Sequence, residues 1–291
     1  MKRRVIGSIF LLLFAGTVCR AADIMWVSFH DTDAASADAS AAGLTDAADI
    51  GYTNLLSSNG HNVTRFLTRE PLTSADIDQL NASDLVIVSR SVNSGQYDPP
   101  TDWNTNVTAP MIAMSGYILR SSRLNLTDGT TMVDTTEPLT LTAEDPSHPI
   151  FNGITIGADN AVAAMANVVT VNGALQRGVS INNSNIVGGS LIASSTEAAT
   201  MGGPVVAEWP AGATLNNGEM LAGPRMSFMS GSREADGVSS QTAGLFDLTP
   251  VGETMFLNAV EYMTVPEPSS NSLVAAFGLV VLAATRRRRY R

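Results

Sequence analysis

The sequence predicts an α/β fold, a parallel sheet with flanking helices and an antiparallel extension in its second half. Two observations lead to it. Continuous apolar runs at 24–29, 84–89 and 110–114 alternate with helical segments, as expected of parallel strands buried on both faces. After Ser115 the texture changes to short apolar stretches separated by Gly, Asn and Ser, which reads as strands joined by turns.

The first strand is the run 24–29. The segment 30–49 is rich in Ala, Ser and Asp without periodicity and reads as a long connection. Ile50, Leu55 and Leu56 mark a helix, which Asn59-Gly60 is suited to end. Val63, Phe66 and Leu67 belong to a second strand. A short helix at 74–80 follows, with Thr73 or Ser74 as its cap. The runs 84–89 and 110–114 are the third and fourth strands. The second half supplies strands at 139–142, 168–171, 186–193 and 205–208, and a further apolar run at 226–229. Phe256, Leu257, Val260 and Met263 share one face of a last helix at 249–263. Together these predict a flavodoxin-like parallel sheet, with no internal repeat and no low-complexity linker before Ser269.

The ends of the 291-residue chain have a different character. Lys2, Arg3 and Arg4 precede an apolar run at 5–15, and small residues lead to Ala21 and Ala22. This is the order of a secretory signal peptide at 1–21, cut after Ala21 by signal peptidase. An uncleaved membrane anchor is the alternative. Lipidation of Cys19 is disfavoured, because Val18 stands where a small residue is wanted. At the other end Val265-Pro266-Glu267-Pro268 precedes a polar spacer, an apolar helix at 273–284, and Arg286, Arg287, Arg288 and Arg289. With its spacer and snorkelling arginines that helix is long enough to reach across the inner membrane, its arginines staying cytoplasmic. The order resembles the PEP-CTERM sorting signal of Gram-negative bacteria. The resemblance implies an exosortase-type enzyme that acts near Pro266, Glu267 and Pro268 and places the protein at the cell surface or outside it.

Between the ends, the stretch 22–268 holds eight arginines, no lysine and all 27 acidic residues, a formal charge of −19. Nucleic acid and anionic lipid are poor partners for such a surface. The one cysteine, Cys19, lies in the signal segment, so the exported chain has no thiol, disulfide or cysteine metal site. Asp31, Asp33, Asp38, Asp46 and Asp49 do not match the spacing of a calcium loop. No Gly-rich phosphate loop follows the first strand. No metal or cofactor is therefore predicted.

In an open α/β sheet the ligand crevice lies beyond the carboxyl ends of the strands. Those ends carry His30 and Asp31; Ser89-Arg90-Ser91; Ser115-Gly116-Tyr117 with Arg120; and Ser230-Gly231-Ser232-Arg233-Glu234. Arg90, Tyr117, Arg120, Arg233 and Glu234 are the candidate ligand-binding residues, since guanidinium groups grip carboxylates and sulfated or uronic sugars in a bidentate way. The structural alternative makes Arg90, Arg120 and Arg233 partners of Asp31, Asp84, Glu234 or Asp236 that tie the loops down.

The element order over 22–264 resembles the class-I glutamine-amidotransferase-like fold in its ThuA-like branch. Asp145-Pro146-Ser147-His148-Pro149-Ile150-Phe151-Asn152-Gly153 is similar to the His-Pro-Ile-x-x-Gly stretch of those proteins. The resemblance implies a nucleophile on the turn after the fourth strand, where this chain has Ser115 and no cysteine. Thiol chemistry is thereby excluded. A non-catalytic domain that binds an anionic ligand or extracellular polysaccharide is the leading expectation. The alternative is a hydrolase acting through Ser115 or the His30/Asp31 pair, which needs a base beside the serine.

Overall fold

A computed structural model describes residues 21–265, apart from 137, 167–169, 172–173 and 176–177. Its strands are β1 (Asp23–Ser28), β2 (Asn62–Leu67), β3 (Leu85–Val88), β4 (Met111–Ala113), β5 (Met132–Asp134), β6 (Thr140–Ala143), β7 (Ala161–Ala163), β8 (Thr170–Val171), β9 (Ala174–Leu175), β10 (Ser180–Asn182), β11 (Ser190–Ser195), β12 (Pro204–Trp209) and β13 (Arg225–Phe228). The α-helices are α1 (Ala37–Ala41), α2 (Ile50–Ser58), α3 (Ser74–Asn81), α4 (Gly116–Leu119) and α5 (Pro250–Thr264).

Nine strands form one sheet in the order β2-β1-β3-β4-β13-β12-β11-β6-β7. The first five are parallel, and the order reverses around β1, as the flavodoxin-like reading requires. From β13 onward every pairing is antiparallel, which is the predicted extension. The physical cause of the parallel half is visible in β3. Leu85, Val86, Ile87 and Val88 are all fully buried, so both faces of that strand are covered. Helix α2 buries Tyr52 and Leu56, and α5 buries Met255, Phe256, Ala259, Val260 and Met263. The two meet edge to face at Tyr52 and Phe256, with Phe256 also against Phe228 of β13.

Local signals set several boundaries. Thr73 accepts a hydrogen bond from the Asp76 N–H while Asp76 accepts one from the Thr73 N–H, a complete capping box for α3. Gly60 takes a φ of 89° just beyond the end of α2. The predicted connection 30–49 contains the short helix α1, started by the Ser36 cap. The strand predicted at 186–193 begins only at Ser190, because Gly188 is left-handed at φ 72° and Gly189 packs against the Trp209 ring. Of the strand predicted at 168–171, only Thr170 and Val171 are described, pairing with β9.

Helix α5 runs from the carboxyl edge of the parallel strands to their amino edge. Before its start, Asp247 accepts a hydrogen bond from the N–H of Gly231, which follows β13. Near its end, the Tyr262 hydroxyl bonds to Glu208, which pairs with Met226 at the beginning of β13. Val265 therefore lies at the edge opposite the crevice. The predicted membrane-targeting helices of both ends fall outside the described residues. Among the described residues, no helix is long and apolar enough to cross a membrane.

Candidate functional site

The four predicted strand ends meet in the parallel half of the sheet. Strands β3 and β4 pair in register at Val88 and Ala113, and β4 and β13 at Ala113 and Ser227. Three adjacent strands thus deliver Ser89-Arg90-Ser91, Ser115-Gly116-Tyr117 and Ser230-Gly231-Ser232 to one edge. Strand β1 joins them, since the Phe29 N–H donates to the Ser91 carbonyl at 2.7 Å.

The close fit depends on glycines. At Gly231, φ is 84° and a Cβ would lie 3.0 Å from Arg90 Cβ. At Gly116 a Cβ would lie 2.5 Å from the Ser180 carbonyl oxygen, so β10 can rest on the turn after β4 only because no side chain stands there.

Tyr117 is the centre of the site. The guanidinium carbons of Arg90, Arg120 and Arg233 lie 5.2, 5.1 and 5.2 Å from its ring centroid. Each is within range for a cation–π contact. Carboxylates offset part of this charge. Glu234 lies 3.4 Å from Arg90 and 3.4 Å from Arg233. Asp134 holds Arg233 at 2.6 Å and also accepts a hydrogen bond from the Ser180 hydroxyl. Arg120 differs from both. It donates to the Tyr117 carbonyl and the Ser94 hydroxyl, and it has no carboxylate partner among the described residues.

Burial lowers the pKa of Arg90, with Glu234 and Tyr117 opposing. It also lowers that of Arg120, where Arg123 adds to the effect. At Arg233 burial acts in the same direction, but Asp134, Tyr117 and Glu234 outweigh it and raise the value. Burial raises the pKa of the Tyr117 hydroxyl, and Arg233 moderates the shift. Guanidinium groups keep their charge in proteins, so among the described residues three cations and the carboxylates of Glu234 and Asp134 surround Tyr117.

The alternative in which the arginines tie down loops is realised at two of the three. Arg90 and Arg233 pair with Glu234, while Arg120 does not pair with a carboxylate among the described residues. The sequence reading missed Asp134, Ser94 and Ser180. Asp134 lies 99 positions before Arg233 on a three-residue strand with only Met132 and Val133 as its apolar signal.

The hydrolase candidates are dispersed. Ser115 is buried, and its hydroxyl makes no hydrogen bond among the described residues. His30 is buried too; its Nδ1 accepts from the Ser36 N–H and its Nε2 lies 3.1 Å from the Gln241 carbonyl oxygen. The Ala48 N–H also points to Nε2 at 3.3 Å, so both ring nitrogens are engaged, and burial, opposed by Asp49, lowers the pKa. Asp31 is exposed. His61 accepts from the Ala22 N–H. His148 caps the turn at Ile150 and stacks edge to face on Tyr262 at the far edge of the sheet. No histidine bonds to Ser115 among the described residues. No group of three or more His, Cys, Asp or Glu there is placed to hold a metal ion.

Several solved structures are similar to this chain at low identity. A cytoplasmic protein from Salmonella typhimurium is 11% identical with a TM-score of 0.46, covering 82% of this chain and 98% of its own. A Thermoplasma acidophilum protein described as a candidate GMP synthase component is 11% identical with a TM-score of 0.41, covering 84% of this chain and 95% of its own. The β-galactosidase of a Rahnella species is 14% identical with a TM-score of 0.41, covering 86% of this chain and 32% of its own. No curated protein matches the chain. The informative likeness lies in the tail: residues 264–289 match the PEP-CTERM protein-sorting motif. The match begins at Thr264, the last residue of α5, and takes in Pro266, Glu267, Pro268 and the arginines Arg286 to Arg289. The chain thus carries a PEP-CTERM protein-sorting motif, which implies exosortase processing and export to the cell surface of a Gram-negative bacterium.

Proposed function

We propose that this exported protein binds an acidic carbohydrate of the extracellular matrix through the crevice around Tyr117, and that it works by binding rather than by catalysis. The observation that carries the reading is Arg120. Of the three guanidinium groups around Tyr117, it alone lacks a carboxylate partner among the described residues. It is also pre-oriented by two hydrogen bonds, so little rotamer freedom is lost when an anion binds. Arg90 and Arg233, anchored by Glu234 and Asp134, hold the ring and the loops in place and add to the local positive potential. Before processing, the protein is held at the inner membrane by its tail. Signal peptidase and exosortase then release the two ends.

The test is binding of a polyuronate by the full chain, followed by calorimetry at several salt concentrations. Affinity is expected to fall as salt rises, because the contact is electrostatic and partly exposed. Arg120→Ala should lose at least about tenfold in affinity. Arg69→Ala, which removes an arginine paired with Asp76 and not in contact with Tyr117, should leave binding unchanged. Equal binding by wild type and Arg120→Ala would refute the reading.

A further inference from the structure

Four buried hydrogen-bond donors at the same strand ends have no partner among the described residues. They are Arg90 Nε and the hydroxyls of Ser91, Ser115 and Ser232. Arg90 is 6% exposed, Ser91 0%, and Ser115 and Ser232 1% each. A buried polar group without a partner is costly, and native folds carry few of them. Of twelve such polar atoms among the described residues, these four fall on three adjacent strand ends.

Their neighbourhood is tightly built. A Cβ on Gly244 would lie 3.3 Å from Ser91 Cβ and 3.7 Å from Arg90 Cβ. The Gly244 N–H donates to the Ser232 carbonyl, and the Ser232 N–H to the Leu245 carbonyl. Ser115 follows the adjacent strand β4, one step beyond Met114, whose N–H donates to the Val88 carbonyl. Arg90 belongs to both groups: its guanidinium packs on the Tyr117 ring while its Nε is without a partner among the described residues.

We propose that Arg90 Nε, Ser91, Ser115 and Ser232 form a second, buried tier of the crevice that takes one oxyanion group of the ligand, a sulfate ester or a carboxylate. This rests on the reading of the crevice as an anion site and deepens it. All four atoms donate, and a set of hydroxyl donors beside one guanidinium suits an oxyanion better than a cation or a neutral sugar hydroxyl. In this arrangement Ser115 is a binding group. Its hydroxyl needs no base, in keeping with the engagement of all three histidines elsewhere.

The proposal predicts an unusual signature. Hydroxyls that serve only a ligand can be removed without harm to the unliganded fold. The full-length chain and its Ser115→Ala/Ser232→Ala variant are compared by thermal unfolding and by titration with sodium sulfate, sodium glucuronate and glucose at constant ionic strength. The variant is expected to melt at the same temperature as wild type or higher, and to bind the preferred anion at least about tenfold more weakly. Preference for sulfate identifies a sulfate ester, preference for glucuronate a uronate, and glucose should not bind. A melting temperature several degrees lower in the variant would show that the hydroxyls support the fold, overturning the proposal. Anion binding that is lost in Arg120→Ala but intact in Ser115→Ala/Ser232→Ala would overturn the buried tier alone. No binding of either anion to wild type would overturn both readings.

Discussion

Tyr52 donates its phenolic hydrogen to Asp247 at 2.7 Å, joining the first turn of α2 to the loop before α5 across 195 positions of sequence. The same carboxylate oxygen accepts the Gly231 N–H at 2.9 Å, and the other oxygen is buried without a partner among the described residues. Burial pushes the Asp247 pKa up to about 6. Its unfolded value is about 3.9. The folded state therefore keeps the proton to higher pH than the unfolded chain. The stabilisation this gives is complete below about pH 4 and is lost as pH rises through 6. Asp247→Asn should flatten that loss by roughly 2–3 kcal/mol between pH 4 and 7. Urea unfolding of both proteins across that range measures it; parallel pH profiles would contradict it.

Arg225 is the best-tied cation in the described fold. It is 1% exposed and donates to four main-chain carbonyls, those of Trp103, Val107, Ala109 and Pro224, at 2.6–3.0 Å. Burial lowers its pKa to about 10, so it is still charged at neutral pH. Arg225→Met should strand those acceptors and destabilise the protein by at least about 3 kcal/mol. The midpoint of urea unfolding is the readout. Arg225→Lys should recover part of the loss, since an ammonium supplies fewer and differently directed donors.

Gly116 governs the approach of β10 to the crevice. Its would-be Cβ clashes with the Ser180 carbonyl and the Asn182 nitrogen, both main-chain atoms that cannot swing aside. Gly116→Ala should cost roughly 1–3 kcal/mol. It should also weaken anion binding, because Tyr117 is the next residue and Asp134 is held by Ser180. Gly153→Ala serves as the comparison. It has open space around it and only its φ of 75° to resist substitution, so it should lose stability without loss of binding.

Processing of the tail is read most directly from the protein itself. Mass spectrometry of surface material from the native host should find a C terminus lacking Arg286 to Arg291. Substitution of Glu267 by Ala should leave the tail attached and the protein in the membrane fraction. A surface-exposed form that still carries those arginines would contradict exosortase processing.

The parallel half of the fold was legible because its signal is local. Strand β3 is buried on both faces and must be apolar at every position, and α5 must repeat its apolar face at helical spacing. Short half-buried strands give no such signal. Strand β5 has three intermediate residues, and neither it nor β10 was foreseen. Without β5, Asp134 could not be recognised as the partner of Arg233, nor Arg120 as the guanidinium left without a carboxylate.

The sequence alone determined the handling of the protein and the chemistry open to it. The sorting motif is read as a linear order of residues, and the lack of a thiol or lysine between the ends is a matter of composition. It also named the strand ends that the structure brings to one edge of the sheet. Only the tertiary structure decided how those residues divide their work. Arg90 and Arg233 are tied to Glu234, Arg120 is not, and four donors are buried without partners among the described residues. The reason is physical: pairing and burial depend on contacts between segments up to 144 positions apart, as with Arg90 and Glu234, and no local pattern records them.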